Sequence, residues 1–253
     1  MFGMAQPVFL RIRPAFLGAA LAAACGASRR RFVSTANGTF FVNPVSLAGS
    51  KIASSEFEPT MRSVLETYLK EGGVFIDLGA NEGYFSVIAS RLVGIAGSVI
   101  AIEPQSRLHG VIQANLSANQ CSNVRVFRCA ISDRNGEARL SLAPGLITGS
   151  SSLFGGRGKS ELVESYRLEE FLERAQVSSC DLMKVDIESA EYEVFMSSSD
   201  LLRSGRIRNI ALEIHNSLLK ERGLSGQMLH EHILACGYNL NDSLGNWVYT
   251  FDR

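Results

Sequence analysis

The stretch Val74-Phe75-Ile76-Asp77-Leu78-Gly79-Ala80-Asn81-Glu82-Gly83-Tyr84-Phe85-Ser86 constrains the fold more than any other. A short apolar run leads straight into a turn with two glycines, and a segment with helical character follows. Strand, tight turn and helix in that order open an α/β sheet whose ligands settle at the carboxyl ends of its strands. Gly79 and Gly83 lack the Cβ atoms that would hold a ligand off the backbone, and a helix beginning near Tyr84 presents free N–H groups at its first turn. Twenty residues after Gly83, Glu103 closes a second apolar run, Ser98-Val99-Ile100-Ala101-Ile102. A carboxylate there can take both hydroxyls of a ribose.

The glycine pattern decides which nucleotide is expected. Dinucleotide sites use G-x-G-x-x-G to bring backbone against a pyrophosphate, whereas this chain reads Gly79-Ala80-Asn81-Glu82-Gly83. The middle glycine is missing, and Glu82 places a negative charge where phosphates would sit. S-adenosylmethionine, an adenosine and an amino acid joined through a sulfonium with no phosphate, meets that condition. A nicotinamide-dependent oxidoreductase is disfavoured on the same grounds.

From about residue 56 helical and strand patterns alternate, which predicts a Rossmann-like, doubly wound α/β fold with a mostly parallel sheet. Strands are expected at 74–78, 98–102, 124–128, 181–187 and 207–214, and helices at 61–70, 84–93, 106–119, 168–175, 190–203 and 226–236. The end of the chain reads as an antiparallel hairpin closed around Ser243-Leu244-Gly245, added to the sheet edge. Between 143 and 160 the chain is rich in Gly and Ser with no period, either a surface loop or a lid over an acceptor substrate.

Residues 1–55 contain no Asp or Glu yet carry Arg11, Arg13, Arg29, Arg30, Arg31 and Lys51. That break in composition divides the chain into an N-terminal arm, 1–50, expected to lie outside the folded core, and a domain over 51–253. The apolar run at 15–25 is shorter than the roughly 20 residues a membrane span needs, so no stable membrane insertion is expected. A signal-peptide core, an arginine-rich organelle presequence and an extension from a misassigned start all fit the segment. Because S-adenosylmethionine is made inside cells, a cytoplasmic site is favoured, with organelle targeting or export as alternatives. Five cysteines lie scattered without C-x-x-C spacing, which points to neither a zinc site nor a disulfide framework. Net charge is zero and no basic patch is interleaved with aromatics, so nucleic acid is not an expected partner.

Over about residues 57–251 the chain resembles the FkbM family of S-adenosylmethionine-dependent methyltransferases. The resemblance rests on Phe57-Glu58-Pro59, the Ile76–Ser86 block, Ala101-Ile102-Glu103-Pro104, Asn115, Ala130-Ile131-Ser132-Asp133 and Leu168-Glu169-Glu170-Phe171-Leu172. It continues with Met183-Lys184-Val185-Asp186-Ile187-Glu188-Ser189-Ala190-Glu191 and Glu213-Ile214-His215. Ser189 stands where the family typically has glycine. The resemblance implies the class I methyltransferase fold and methylation of hydroxyl groups on small molecules or saccharides. Methylation of an amine, or a binding module that retains the fold without turnover, are the alternatives.

In such a site Asp77, Gly79, Asn81 and Gly83 hold the amino-acid end of the cofactor, Glu103 the ribose, and Ala130 and Ile131 the adenine. Asp77 has a second reading as a strand-end acid capping the loop. The acceptor hydroxyl needs a base or a metal, sought at the carboxyl ends of the fourth and fifth strands. There Lys184, Asp186 and Glu188 are expected to share a face at period two, and Glu213 and His215 likewise. Asp186, Glu188, Glu191 and His215 are the catalytic candidates, with His215 or Asp186 as base. Metal binding by Asp186, Glu213 and His215 is a lesser alternative, and Glu191 also reads as a first-turn acid favoured by the helix dipole. His109, His230 and His232 read as packing or surface residues.

Overall fold

Apolar strands separated by amphipathic helices pair in parallel, because each crossover returns the chain to the same end of the sheet. The computed structural model describes residues 8–154, 158–245 and 247–252. Its N-terminal part contains helix α1 (Ala15–Ala24), strands β1 (Arg31–Thr35) and β2 (Gly38–Val42), and helices α2 (Leu47–Ala53) and α3 (Pro59–Tyr68). Then come β3 (Val74–Leu78), α4 (Tyr84–Val93), β4 (Ser98–Ile102), α5 (Ser106–Ala118) and β5 (Val124–Phe127). Strands β6 (Ala130–Ser132), β7 (Gly136–Ser141) and β8 (Ser160–Arg167) precede α6 (Leu168–Arg174), β9 (Leu182–Val185), α7 (Glu191–Met196) and α8 (Ser199–Arg203). The chain closes with β10 (Asn209–Leu212), α9 (Asn216–Glu221), α10 (Gly226–Ala235), β11 (Tyr238–Asn241) and β12 (Trp247–Phe251).

Seven strands form the main sheet in the order β11-β12-β10-β9-β3-β4-β5. The pairs β5–β4, β4–β3, β3–β9 and β9–β10 are parallel, and β12 runs antiparallel to both β10 and β11. The C-terminal hairpin thus forms the edge with its second strand turned inward. Chain order reverses between β3 and β9, where Leu78 pairs with Val185; the crevice outside such a reversal is where ligands bind in open α/β sheets. Alternation divides the apolar residues between two faces: Ile76, Ile100 and Met183 join one buried cluster, while Phe75, Val99 and Leu182 join the other.

Residues 1–50 were expected to lie outside the core, and much of that segment packs on the domain. β1 and β2 form a hairpin, Phe40 and Val42 are fully buried, and Ile52 of α2 is 1% exposed, all within the cluster that also contains Phe75 and Phe85. Asn115 of α5 and Asn119 at its C-cap bind β2 to the domain. The Asn115 side-chain oxygen accepts from Phe41 N, and Asn119 accepts from Thr39 N at 3.0 Å and donates to Thr39 O at 2.7 Å.

Two further differences concern the middle of the chain. The helix expected over 190–203 is divided into α7 and α8 at Ser197-Ser198-Ser199, where the Ser197 hydroxyl donates to the Val194 carbonyl. A separate sheet, β6-β8-β7, is inserted between β5 and β9, where no strand was expected between residues 128 and 181.

Candidate active site

Four strand ends, those of β3, β4, β9 and β10, bring the site together. At the first, Gly79 follows β3 at φ +87°, and a Cβ on it would lie 1.9 Å from the carbonyl oxygen of Asp186. Only glycine lets the two turns touch. Asn81 and Gly83 also adopt positive φ, 49° and 78°. Asp77 sits under this turn, 1% exposed, where Oδ2 accepts from Ser86 Oγ at 2.6 Å and Oδ1 has no partner among the described residues. Its placement anchors the turn to α4 and leaves one orphaned acceptor. Burial, eased by Lys184 and Ser86, raises its pKa.

At the end of β4, Glu103 is 3% exposed and accepts from Asn81 N at 2.8 Å and Gln105 N at 2.9 Å. Burial pushes its carboxyl up to about 7 against those two donors. A narrow cleft runs from Gly79 past Glu103 to Ala130 and Ile131, both nearly buried, beside Cys129 and Leu140. The Gly/Ser-rich segment lines it with Gly149, Ser151 and Leu153. Thr148 fastens that strap: its Oγ1 donates to Asn81 Oδ1 at 3.0 Å, and its carbonyl accepts from Gln105 Nε2 at 3.1 Å. Residues 155–157 of the same segment lie outside the described residues.

Glu82 does not present a free charge, in contrast to the sequence reading. Its carboxylate, 2% exposed, pairs with Arg30 of the N-terminal segment at 2.7 Å. The missing middle glycine therefore carries the argument against a pyrophosphate by itself.

Beyond β9 and β10 the acids converge. Alternation stops with β9 at Val185, and Glu188 and Ser189 turn with φ of 50° and 77°. That left-handed turn, which the period-two reading did not foresee, carries Glu188 back beside Asp186 and His215. Oxygen and nitrogen atoms of the three lie within 4.8 Å of one another, a spacing compatible with one divalent cation, with Glu188 where the sequence reading placed Glu213. His215 Nε2 is 3.6 Å from Asp186, 3.7 Å from Glu188 and 3.9 Å from Glu213. On its other side, fully buried Glu191 accepts from the His215 backbone N–H at 2.9 Å and faces Nδ1 at 3.4 Å. Glu191 is therefore the anchor of His215 as well as a first-turn acid. Burial opposes charging of the imidazole, but Glu191, Glu188 and Asp186 outweigh it and raise His215 to about 9.

The left-handed turn explains the family's glycine at position 189. Ser189 is buried there, held by Arg222 Nη1, which donates to its carbonyl at 2.7 Å. Because an L residue at that φ costs ~1–2 kcal/mol, Ser189→Gly is expected to raise stability by about 1 kcal/mol, read as the shift in chemical denaturation midpoint. An unchanged midpoint would mean that the serine hydroxyl compensates the strain.

An acceptor-side cleft opens from this cluster, bounded by Phe57, Glu58, Tyr84, Lys184, Glu213 and His215. It continues into a cavity of about 500 Å3 bordered by Lys51, Met61, Asn216 and Trp247. Lys184 donates to Asp186 Oδ2 at 3.2 Å, and Asp186, Asp77 and Glu58 keep it charged in spite of burial. Burial first, then Asp186 and Glu213, push Glu58 up to about 7. Burial likewise raises Glu188 to about 7, with His215 opposing and Asp186 reinforcing. Lys51 and Glu58 were not among the sequence candidates. Glu58 had a signal in Phe57-Glu58-Pro59; Lys51 had none, because it stands in the acid-free stretch of residues 1–55, at the border of the segment read as an arm. His109 is half-buried and touches the Glu103 carbonyl at 2.7 Å, while His230 contacts Tyr249.

The strand order with one inserted antiparallel strand, and a two-glycine turn facing an acid at the end of the neighbouring strand, define the class I S-adenosylmethionine-dependent methyltransferase fold. The sequence profile of the methyltransferase FkbM domain matches residues 77–240, and the chain belongs to that family. A second profile, protein-L-isoaspartate(D-aspartate) O-methyltransferase, matches residues 19–134. Three curated relatives are similar. AMB antimetabolite synthetase AmbE of Pseudomonas aeruginosa is 26% identical over 67% of this chain and 10% of its own length. Methyltransferase sdnD of Sordaria araneosa is 29% identical over 54% of this chain and 64% of its own. The 31-O-demethyl-FK506 methyltransferase FkbM of Streptomyces tacrolimicus is 24% identical over 58% and 67%. The chain thus spans a tenth of the first relative and just under two thirds of the second.

Proposed function

We propose that this chain transfers the methyl group of S-adenosylmethionine to a hydroxyl of a small molecule or saccharide. The observation that carries the reading is the junction of two clefts at Gly79, Asn81, Asp186 and Glu188, which line both. One cleft has the fittings of a cofactor site: a glycine cradle that a Cβ would fill, an orphaned Asp77 oxygen beneath it, and Glu103 beside Ala130 and Ile131. Gly79, Asn81 and Gly83 would hold the amino-acid end, Glu103 the ribose and Ala130 with Ile131 the adenine. When bound, the sulfonium supplies an already activated methyl group, which leaves the protein to align the acceptor and take its proton. The other cleft, with its cavity of about 500 Å3, has the size of small-molecule sites. Similarity to the Streptomyces 31-O-demethyl-FK506 methyltransferase supports a hydroxyl acceptor.

The base is Glu188 rather than His215. The acids around His215 raise its pKa to about 9 and favour the protonated imidazole, whereas Glu188, 3.7 Å from that imidazole, lines both clefts and, raised to about 7, can take up a proton near neutral pH. His215 then acts as a cation among the acids, positioned by Glu191. Asp186, tied to Lys184, fixes the wall between the clefts.

The test compares two variants by calorimetric titration with S-adenosylmethionine and by turnover on hydroxylated acceptors. Glu103→Ala is expected to weaken cofactor binding by ~1–3 kcal/mol through loss of charge-assisted hydrogen bonds. Glu188→Gln is expected to bind normally and to lower turnover ~10²–10⁴-fold. In the unaltered protein turnover should rise with pH through about 7, because only ionised Glu188 accepts a proton. Full turnover by Glu188→Gln would remove it from the chemistry, and unchanged affinity in Glu103→Ala would remove the ribose assignment.

A further inference from the structure

We propose that residues 8–31 form a docking surface for an anionic lipid bilayer. Helix α1 has the sequence Ala-Phe-Leu-Gly-Ala-Ala-Leu-Ala-Ala-Ala, with no polar side chain anywhere along it. One flank is covered by the protein: Ala22 is fully buried and packs with Leu10 and Leu146, next to Ala19, Leu47 and Ile147. The opposite flank is bare. Leu17 is 43% and Leu21 53% exposed, Ala20 and Ala24 are exposed beside them, and Val8 in the preceding turn is 71% exposed. A helix that is apolar all round is ordinarily covered all round, by protein or by lipid. Ten residues make about 15 Å of helix, half the ~30 Å hydrocarbon core, so α1 can lie in the interface but not cross it.

Charge selects the occupant. Exposed Arg11 and Arg13 precede the helix and exposed Arg29 and Arg31 follow it, while Arg30 is turned inward to Glu82. Residues 1–55 contain no acid, so nothing in the segment repels a negative surface. Leucines that enter the headgroup boundary, with guanidinium groups at the phosphates on either side, are the arrangement of interfacial helices on anionic membranes. A second copy seated on this face about a two-fold axis would instead crowd the four exposed arginines of each copy together without an acid from the segment between them. Leu47 and Ile147 belong to the same small cluster as Ala22 and also line the acceptor-side cleft, so the docking helix lies one layer of side chains from the site.

The experiment is co-sedimentation of the full chain with vesicles of phosphatidylcholine alone and of phosphatidylcholine mixed with phosphatidylserine. Binding to the mixture, lost in Leu17→Glu/Leu21→Glu by at least ~10-fold and weakened by added salt, is the expected result. Circular dichroism melting of that variant, unchanged from the parent, certifies that it folds. Equal partition of parent and variant, or no binding to the mixture, would overturn the proposal. Sedimentation without lipid distinguishes the other occupant: a parent dimer that becomes monomeric in the variant would assign the face to a second copy and equally overturn it. So would a mass measurement showing that the chain isolated from its own cells starts beyond Cys25, because the helix would then be a removed leader.

Discussion

Gly79→Ala is expected to abolish measurable binding of S-adenosylmethionine. Two effects act together at this position. The backbone at φ +87° costs an L residue ~1–2 kcal/mol, and the new Cβ would lie 1.9 Å from the Asp186 carbonyl oxygen and 2.9 Å from its carbon. A backbone atom cannot step aside as a side-chain tip can. Asp186 N donates to Leu78 O at 3.0 Å, and β3 and β9 are locked in register by Leu78 and Val185. Relief therefore parts the two strand ends that carry the residues lining both clefts. Gly94→Ala is the control: φ is also positive at +63°, but the neighbour is Cγ of Glu71 at 3.4 Å, a side chain that can move aside. That variant should lose ~1–2 kcal/mol of stability and keep its cofactor. Titration and thermal unfolding of both variants decide the matter, and equal binding by the two would mean that the contact of residues 79 and 186 does not hold the site.

Where sequence reading succeeded, local pattern and tertiary role coincided. β3 and β4 fall on the residues that the apolar runs marked, 74–78 and 98–102, because a central parallel strand is buried on both sides and has little choice of composition. Strand ends in such a sheet face the crevice, so Gly79, Glu103, Asp186 and His215 could be placed from order alone. The small sheet β6-β8-β7 was illegible for the opposite reason: β8 reads Ser-Glu-Leu-Val-Glu-Ser-Tyr-Arg and buries Val163 and Ser165 on a largely exposed ribbon. The surroundings of His215 were not legible, because Glu191 and Glu188 approach it together only through a left-handed turn at 188 and 189. In the N-terminal segment a signal was present and overlooked. Asn37-Gly38 between Phe32-Val33 and Phe40-Phe41-Val42 is a hairpin signature, outweighed by the absence of acids, which describes a surface and says nothing about a core.

That hairpin leads to the second large effect. A chain lacking residues 1–54 is expected not to fold, whereas one lacking residues 1–28 should fold and bind cofactor. Phe40, Val42 and Ile52 are buried almost completely, and at ~1.5–3 kcal/mol each their loss approaches the whole ~5–15 kcal/mol net stability of a domain. Their departure also bares Phe85, Val87 and Ile112, members of the same cluster. Polar losses compound the apolar ones. Asn115, fully buried, would lose its donor at Phe41, and the nearly buried Glu82 would lose Arg30; a buried charge stripped of its partner costs ~3–5 kcal/mol. Truncation before Arg29 leaves all of these contacts in place and removes only the small cluster of Leu10, Ala22 and Leu146. Thermal unfolding of the two truncations separates the cases. Cooperative unfolding of residues 55–253 at the temperature of the full chain would mean that the first strands decorate a domain complete without them, and Lys51 would then leave the acceptor cavity with no effect on its walls.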